Sequence, residues 1–160
     1  MANHSVKILE DVKIDVKLKI AALWTTMMLL FAYGDIFSYF RPGLIEDILK
    51  GTVAGNQIDQ VFLMFTTVYV LIPSLMVFLS LVLKPGINRL ANIVLAVVYA
   101  ASIMLFCVGE TWAYYIFLSI LECAVLAMVV WFAWKWPAQG SPIIKPNDKA
   151  SNTAAPKAIQ

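Results

Sequence analysis

Histidine and cysteine are nearly missing from this chain: 160 residues hold one His, at position 4, and two Cys, Cys107 and Cys123. A structural zinc site takes four such ligands, and no Cys/His cluster supplies them, so no metal site is predicted. Two thiols are too few for a disulfide framework. On the helical reading given below they lie about 15 Å apart along the membrane normal, whereas a disulfide needs Cα atoms within about 7 Å. Both are expected to be buried free thiols. The sequence also lacks a Gly-rich phosphate loop, an H-E-x-x-H pair, a nucleophile elbow and a haem-type histidine pair. The familiar forms of nucleotide, zinc and haem chemistry are therefore disfavoured, and no cofactor is expected. Charge is scarce too, at 14% of residues with a net +2, which gives no footprint for nucleic acid.

What is abundant is apolar surface. Hydrophobic residues make up 61% of the chain, against about 45–50% in soluble domains. They gather into four runs, about Ile20–Phe40, Val61–Leu83, Leu90–Val108 and Trp112–Trp134. Each is near the ~20 residues that carry a helix across a ~30 Å hydrocarbon core. Backbone polar groups in lipid must bond within their own segment, so the predicted fold is an all-α bundle of four transmembrane helices, residues 20–134. The turns "RPG", "KPG" and "GET" separate the runs. In the longest connection, Leu44, Ile45, Ile48 and Leu49 recur at helical spacing opposite Glu46, Asp47 and Lys50, with Gly51 as a stop. That pattern predicts a short amphipathic helix on the outer surface.

Basic residues set the orientation. Ten of the twelve Lys and Arg fall in the N-terminal segment 1–19, the second loop or the C-terminal segment 135–160; only Arg41 and Lys50 lie on the other side. Both termini are thus expected to be cytoplasmic. Aromatic belts agree: Trp112, Tyr114, Tyr115 and Tyr39 mark outer edges, and Trp131, Trp134, Trp136 and Trp24 inner ones. The first apolar run exceeds the 7–15 residues of a signal-peptide core and follows about nineteen mixed, charged residues, so it reads as a helix and not a cleaved leader. The tail 135–160, rich in Pro, Ala, Ser and Lys, is predicted to be disordered.

Two acids interrupt the spans, Asp35 and Glu122, while all Lys and Arg stay in loops and termini. Intramembrane acids usually face the bundle interior and mark function. At 1.5 Å per residue Glu122 lies about 15 Å below the outer surface and Asp35 about 8 Å. Tyr69, Tyr99 and Ser102 fall at about 12–16 Å, and Thr66 is level with Asp35. Tyr115, Ser119 and Glu122 form one stripe on the last helix; Asn92, Tyr99 and Ser102 one on the third; Thr66, Tyr69 and Pro73 one on the second. The prediction is a polar cavity opening outward. Glu122 is its floor, able to exchange a proton, accept a cation or bond Tyr99 or Ser102. Asp35 is the outer attractor on this reading; the alternative is structural, a protonated Glu122 that cross-links helices by hydrogen bonds and, favoured for Asp35, an interfacial role near Arg41. The residues expected at this ligand site are Glu122, Asp35, Tyr69, Tyr99, Ser102, Ser119, Tyr115 and Thr66.

The stretches "KIAALWTTMMLLFAYGDIFSYF", "LVLKPGINRLANIV" and "YYIFLSILECAVLAMVVWFAWKW" resemble an uncharacterised family of small bacterial four-helix integral membrane proteins, a domain of unknown function. The similarity covers residues 16–136, with Asp35, Asn88 to Asn92 and Glu122 matching its pattern. It implies the four-helix topology and a bacterial inner membrane, and no activity. The expected function is non-enzymatic: binding or translocation of a small cationic or hydrophobic molecule. The alternatives are a structural accessory subunit of a larger membrane complex and, less favoured, an intramembrane lipid or quinone enzyme. Expected partners are the bilayer, a small-molecule ligand, and a second copy or another membrane protein.

Overall fold

The computed structural model describes residues 13–136. The N-terminal residues before Lys13 and the tail beyond Trp136, where disorder was expected, lie outside the described residues. Four helices are long and apolar enough to cross a membrane: α1 Val16–Ser38, α3 Gln60–Val82, α4 Pro85–Phe106 and α5 Ala113–Trp134. Their 22 or 23 residues span about 33–35 Å. The chain is thus a multi-pass membrane protein with an all-α bundle. A short helix, α2 Leu44–Leu49, follows α1. After it comes a two-stranded hairpin, β1 Thr52–Val53 with β2 Asn56–Gln57, which the sequence reading passed over. Its turn residues Ala54 and Gly55 both have positive φ, 49° and 79°. That pairing makes the two-residue turn whose twist matches a hairpin.

Helices α1 and α4 start four and five residues before their apolar runs, because a capping acid or a proline can begin a helix ahead of the apolar stretch. Asp15 accepts a hydrogen bond from the Lys17 amide at 2.8 Å and caps α1 at Val16. Pro85 opens α4, where a missing N–H costs nothing. The α1 shift corrects one expectation. Trp24 stands at the third turn of α1, not at a membrane edge, and is fully buried.

Around the ring, α1 packs against α3 and α5, α5 against α4, and the α3–α4 seam is the weakest of the four. The half of the bundle nearer the described termini is filled. Ile20, Trp24, Met27, Met76, Ala96, Leu126, Val129 and Ala133 are buried there. Among them lies a polar knot: Trp24 Nε1 donates to Asn92 Oδ1 at 2.6 Å, and Ser80 Oγ donates to the same oxygen at 3.3 Å. Asn92 Nδ2 donates to the Asn88 carbonyl and side-chain oxygens, and Asn88 Nδ2 donates to the Ser80 carbonyl. Lys17 Nζ donates to the Leu81 and Leu83 carbonyls at 3.0 and 2.9 Å. The last carbonyls of a helix have no partner within it. Here Asn88 and Lys17 supply three of them at the end of α3.

A second backbone defect lies mid-helix. Pro73 has no N–H, so the carbonyl four residues earlier, that of Tyr69, loses its intrahelical donor. The Tyr99 hydroxyl donates to that carbonyl at 2.6 Å. Tyr99 is therefore the external partner that makes a proline tolerable inside α3. Replacing Tyr99 with Phe orphans the carbonyl and should cost about 1–3 kcal/mol. The Pro73→Ala background restores an amide donor, so there the same substitution should cost about 1 kcal/mol or less. Thermal unfolding of the four proteins in one detergent measures the coupling; equal costs in both backgrounds would show that Tyr99 does not serve the Tyr69 carbonyl.

Candidate functional site

The half of the bundle nearer the α1–α3 and α4–α5 connections is not filled. It holds a cavity of about 210 Å³. All four long helices line it. From α5 come Tyr115, Ser119 and Glu122, which stand on one face because they are four and three residues apart. From α1 come Phe31, Gly34 and Asp35; from α3, Thr66, Tyr69 and Val70; from α4, Ile103 and Phe106. Glu122 is 7% exposed and looks into the bundle. Asp35, Thr66 and Phe106 are exposed and mark where the cavity meets the surface.

Six of the eight residues named from the sequence thus share one cavity: Glu122, Asp35, Tyr69, Ser119, Tyr115 and Thr66. Tyr99 and Ser102 do not line it and do not bond Glu122. They are held behind Tyr69, whose hydroxyl pairs with Ser102 Oγ at 2.8 Å, while Ser102 donates to the Tyr99 carbonyl at 2.8 Å. The reason is the proline: Tyr99 is committed to the carbonyl that Pro73 exposes. Thr66 is partly committed as well, since its hydroxyl donates to the Phe62 carbonyl of its own helix at 3.0 Å.

Phe31 and Phe106 belong to no polar stripe and were not among the expected site residues. Phe31 stacks on Tyr69 with ring centroids 6.0 Å apart, and Phe106 meets Tyr69 edge-on at 6.2 Å. Their signal was spacing: Phe31 precedes Asp35 by four residues, one turn down the same face. Gly34 leaves space where another residue would carry a side chain; a Cβ there would stand 3.7 Å from Leu118 Cδ1. The result is a lining that mixes aromatic rings, Phe31, Tyr69 and Phe106, with the two carboxyls Asp35 and Glu122. The side-chain hydrogen bonds among the described residues leave both carboxyls out. No group of three or more His, Cys, Asp or Glu able to hold a metal occurs among the described residues. Cys107 and Cys123 are both free, though half-buried and not fully buried.

The rim beside Tyr115 is clamped by charge. Arg41, just beyond α1, donates to Glu110 at 3.0 Å and to the Tyr114 hydroxyl. Its guanidinium lies 5.0–5.4 Å from the ring centroids of Trp112, Tyr114 and Tyr115. One terminal nitrogen, Nη2, is buried without a hydrogen-bond partner; the three ring faces around it supply cation–π attraction instead. Glu110 also accepts from the Thr111 and Trp112 amides at 2.9 and 3.0 Å, ahead of α5. The Arg41–Glu110 pair therefore ties the α1 end to the α5 start, and Arg41 is not available to Glu122 or Asp35.

Burial alone would push the Glu110 carboxyl up, but the Trp112 amide, the Arg41 guanidinium and the Thr111 amide hold it below its usual 4.5. A carboxyl lowered in the folded state adds stability that is complete above its ordinary value and disappears as pH falls through the folded-state value. Stability should thus decline from about pH 5 downward through this group. Glu110→Gln should be less stable at neutral pH and should flatten that acid-side decline. Thermal melts across acidic pH measure both, and an unchanged slope in the variant would remove Glu110 from the account.

The comparisons with known proteins add a family and nothing more specific. No curated protein and no solved structure matches the chain. Residues 6–141 match the Family of unknown function (DUF6326), and the chain belongs to that family.

Proposed function

We propose that this chain is a non-enzymatic protein of the bacterial inner membrane, with both termini cytoplasmic, that binds a small organic cation in its outward-facing cavity. The orientation rests on the ten basic residues that share the sides of the termini and the second loop. One observation carries the binding reading. Two acidic residues, Glu122 and Asp35, share a cavity with Tyr69, Tyr115 and Ser119, while Arg41, the cation beside its rim, is bound to Glu110. A cation entering this cavity gains charge complementarity, and the Phe31–Tyr69–Phe106 wall adds about 0.5–2 kcal/mol per ring engaged. A neutral or anionic guest gains neither.

The filled lower half favours binding over conduction. Met27, Met76, Leu126 and Val129 are buried below the cavity, so a guest has a floor under it. Translocation would require these side chains to part.

The experiment is a thermal-shift series on the purified full chain, with benzylamine, tetramethylammonium and neutral benzyl alcohol as probes. The cations should stabilise the protein and the alcohol should not. Glu122→Gln should fold in normal yield and lose the cation response, whereas Asp47→Asn in the exposed α2 should keep it. A cation response of equal size in Glu122→Gln, or equal shifts from the alcohol, would overturn the reading.

A further inference from the structure

At the opposite end of the bundle a second concavity, of about 370 Å³, lies between the start of α1 and the end of α5. Its wall carries three lysines, Lys13, Lys19 and Lys135, and its apolar lining is Ile14, Val16 and Phe132. Lys19 Nζ stands 5.5 Å from the centroid of the Phe132 ring, and Lys135 Nζ stands 3.8 Å from that of Trp131. The ion pairs found among the described residues involve none of the three lysines. The one acid in the wall, Asp15, already caps α1 through the Lys17 amide, and Lys17 itself is spent on the last carbonyls of α3.

We propose that this concavity seats the headgroup of an anionic phospholipid, with the phosphate among Lys13, Lys19 and Lys135 and the glycerol and upper acyl chain along Phe132 and Ile14. Depth favours a lipid over a soluble anion. Trp131 and Trp134 are 57% and 66% exposed on the neighbouring face of α5, the position of an interfacial aromatic belt. The cavity therefore opens at headgroup level, with hydrocarbon directly above it. Lys19 and Lys135 lie over ring faces, which supply no counter-charge of the kind a carboxylate would. The first turn of α1 adds the positive end of a helix dipole on the same side. This site is separate from the Glu122 cavity, and either can fail without the other.

The test uses the purified full chain in a neutral detergent with phosphatidylglycerol, phosphatidylcholine or inorganic phosphate added. Native mass spectrometry counts retained lipid, and thermal melts report stabilisation. Phosphatidylglycerol should be retained and should stabilise, phosphatidylcholine should do so weakly, and inorganic phosphate at matched ionic strength should do nothing. Each lysine removed should weaken retention by about fivefold, so K19Q should show a partial loss and K13Q/K19Q/K135Q near-complete loss. K50Q, in the α1–α3 connection, should bind as the parent does, and K135R should restore most of the effect. Equal retention of phosphatidylglycerol by the parent and K19Q would overturn the site, as would equal stabilisation by inorganic phosphate, which would mark a free-anion site instead.

Discussion

A carbonyl without a donor cannot be left inside a bilayer, and that constraint organises this bundle. Pro73 breaks the ladder of α3 opposite the Tyr69 carbonyl, and α3 then ends with its last carbonyls bare. Both defects are repaired from outside the helix, by Tyr99 in the first case and by Asn88 and Lys17 in the second. The repairs hold α1 and α4 against α3. They matter most at the α3–α4 seam, where packing alone is thinnest. Polar side chains here act as helix-to-helix struts whose worth lies in the cost of leaving their partners unsatisfied.

The same constraint separates structural polarity from chemical polarity. Tyr99, Ser102, Asn88, Asn92, Ser80 and Trp24 each have a bonded partner in the fold, and most are buried. Glu122 and Asp35 differ. They line a cavity and carry no such bond, Glu122 buried and Asp35 at the exposed edge. An unpaired acid in a membrane interior is expensive. The polar knot around Asn92 thus spends its groups on the fold, whereas Glu122 and Asp35 make no side-chain hydrogen bond to it.

The stripe on α5 was legible because helical period alone decides it: Tyr115, Ser119 and Glu122 stay on one face whatever the helix ends turn out to be. The destination of Tyr99 was missed, although it was within reach. A proline in a long apolar run names the carbonyl four residues before it, and a hydroxyl at the same depth on a neighbouring helix is its natural donor. Trp24 was misplaced because hydropathy, not capping, set the start of α1; Asp15 followed by Lys17 was the better signal. The Arg41–Glu110 clamp lay out of reach. Those residues are far apart in the chain, and nothing local says that α1 lies beside α5. The hairpin turn at Ala54 was hidden by a residue that seldom takes positive φ.

The placement of aromatic rings joins the two ends of the molecule into one logic. On the Arg41 side, Trp112, Tyr114 and Tyr115 hold a guanidinium that is already neutralised by Glu110. Near the described termini, Phe132, Trp131 and Trp134 lie beside Lys19, Lys135 and Arg89, and none of these cations has a carboxylate partner among the described residues. A ring face lowers the cost of bringing a cation toward hydrocarbon without cancelling its charge. Where a carboxylate completes the set, the result is a closed clamp that fixes the cavity rim. Where it does not, the cation rests on the ring face alone, as Lys19, Lys135 and Arg89 do near the described termini. The acids and the bases without ion-pair partners thus lie at opposite ends of the bundle, Glu122 and Asp35 at the cavity and Lys19, Lys135 and Arg89 near the described termini. That segregation allows both to persist without collapsing into a salt bridge.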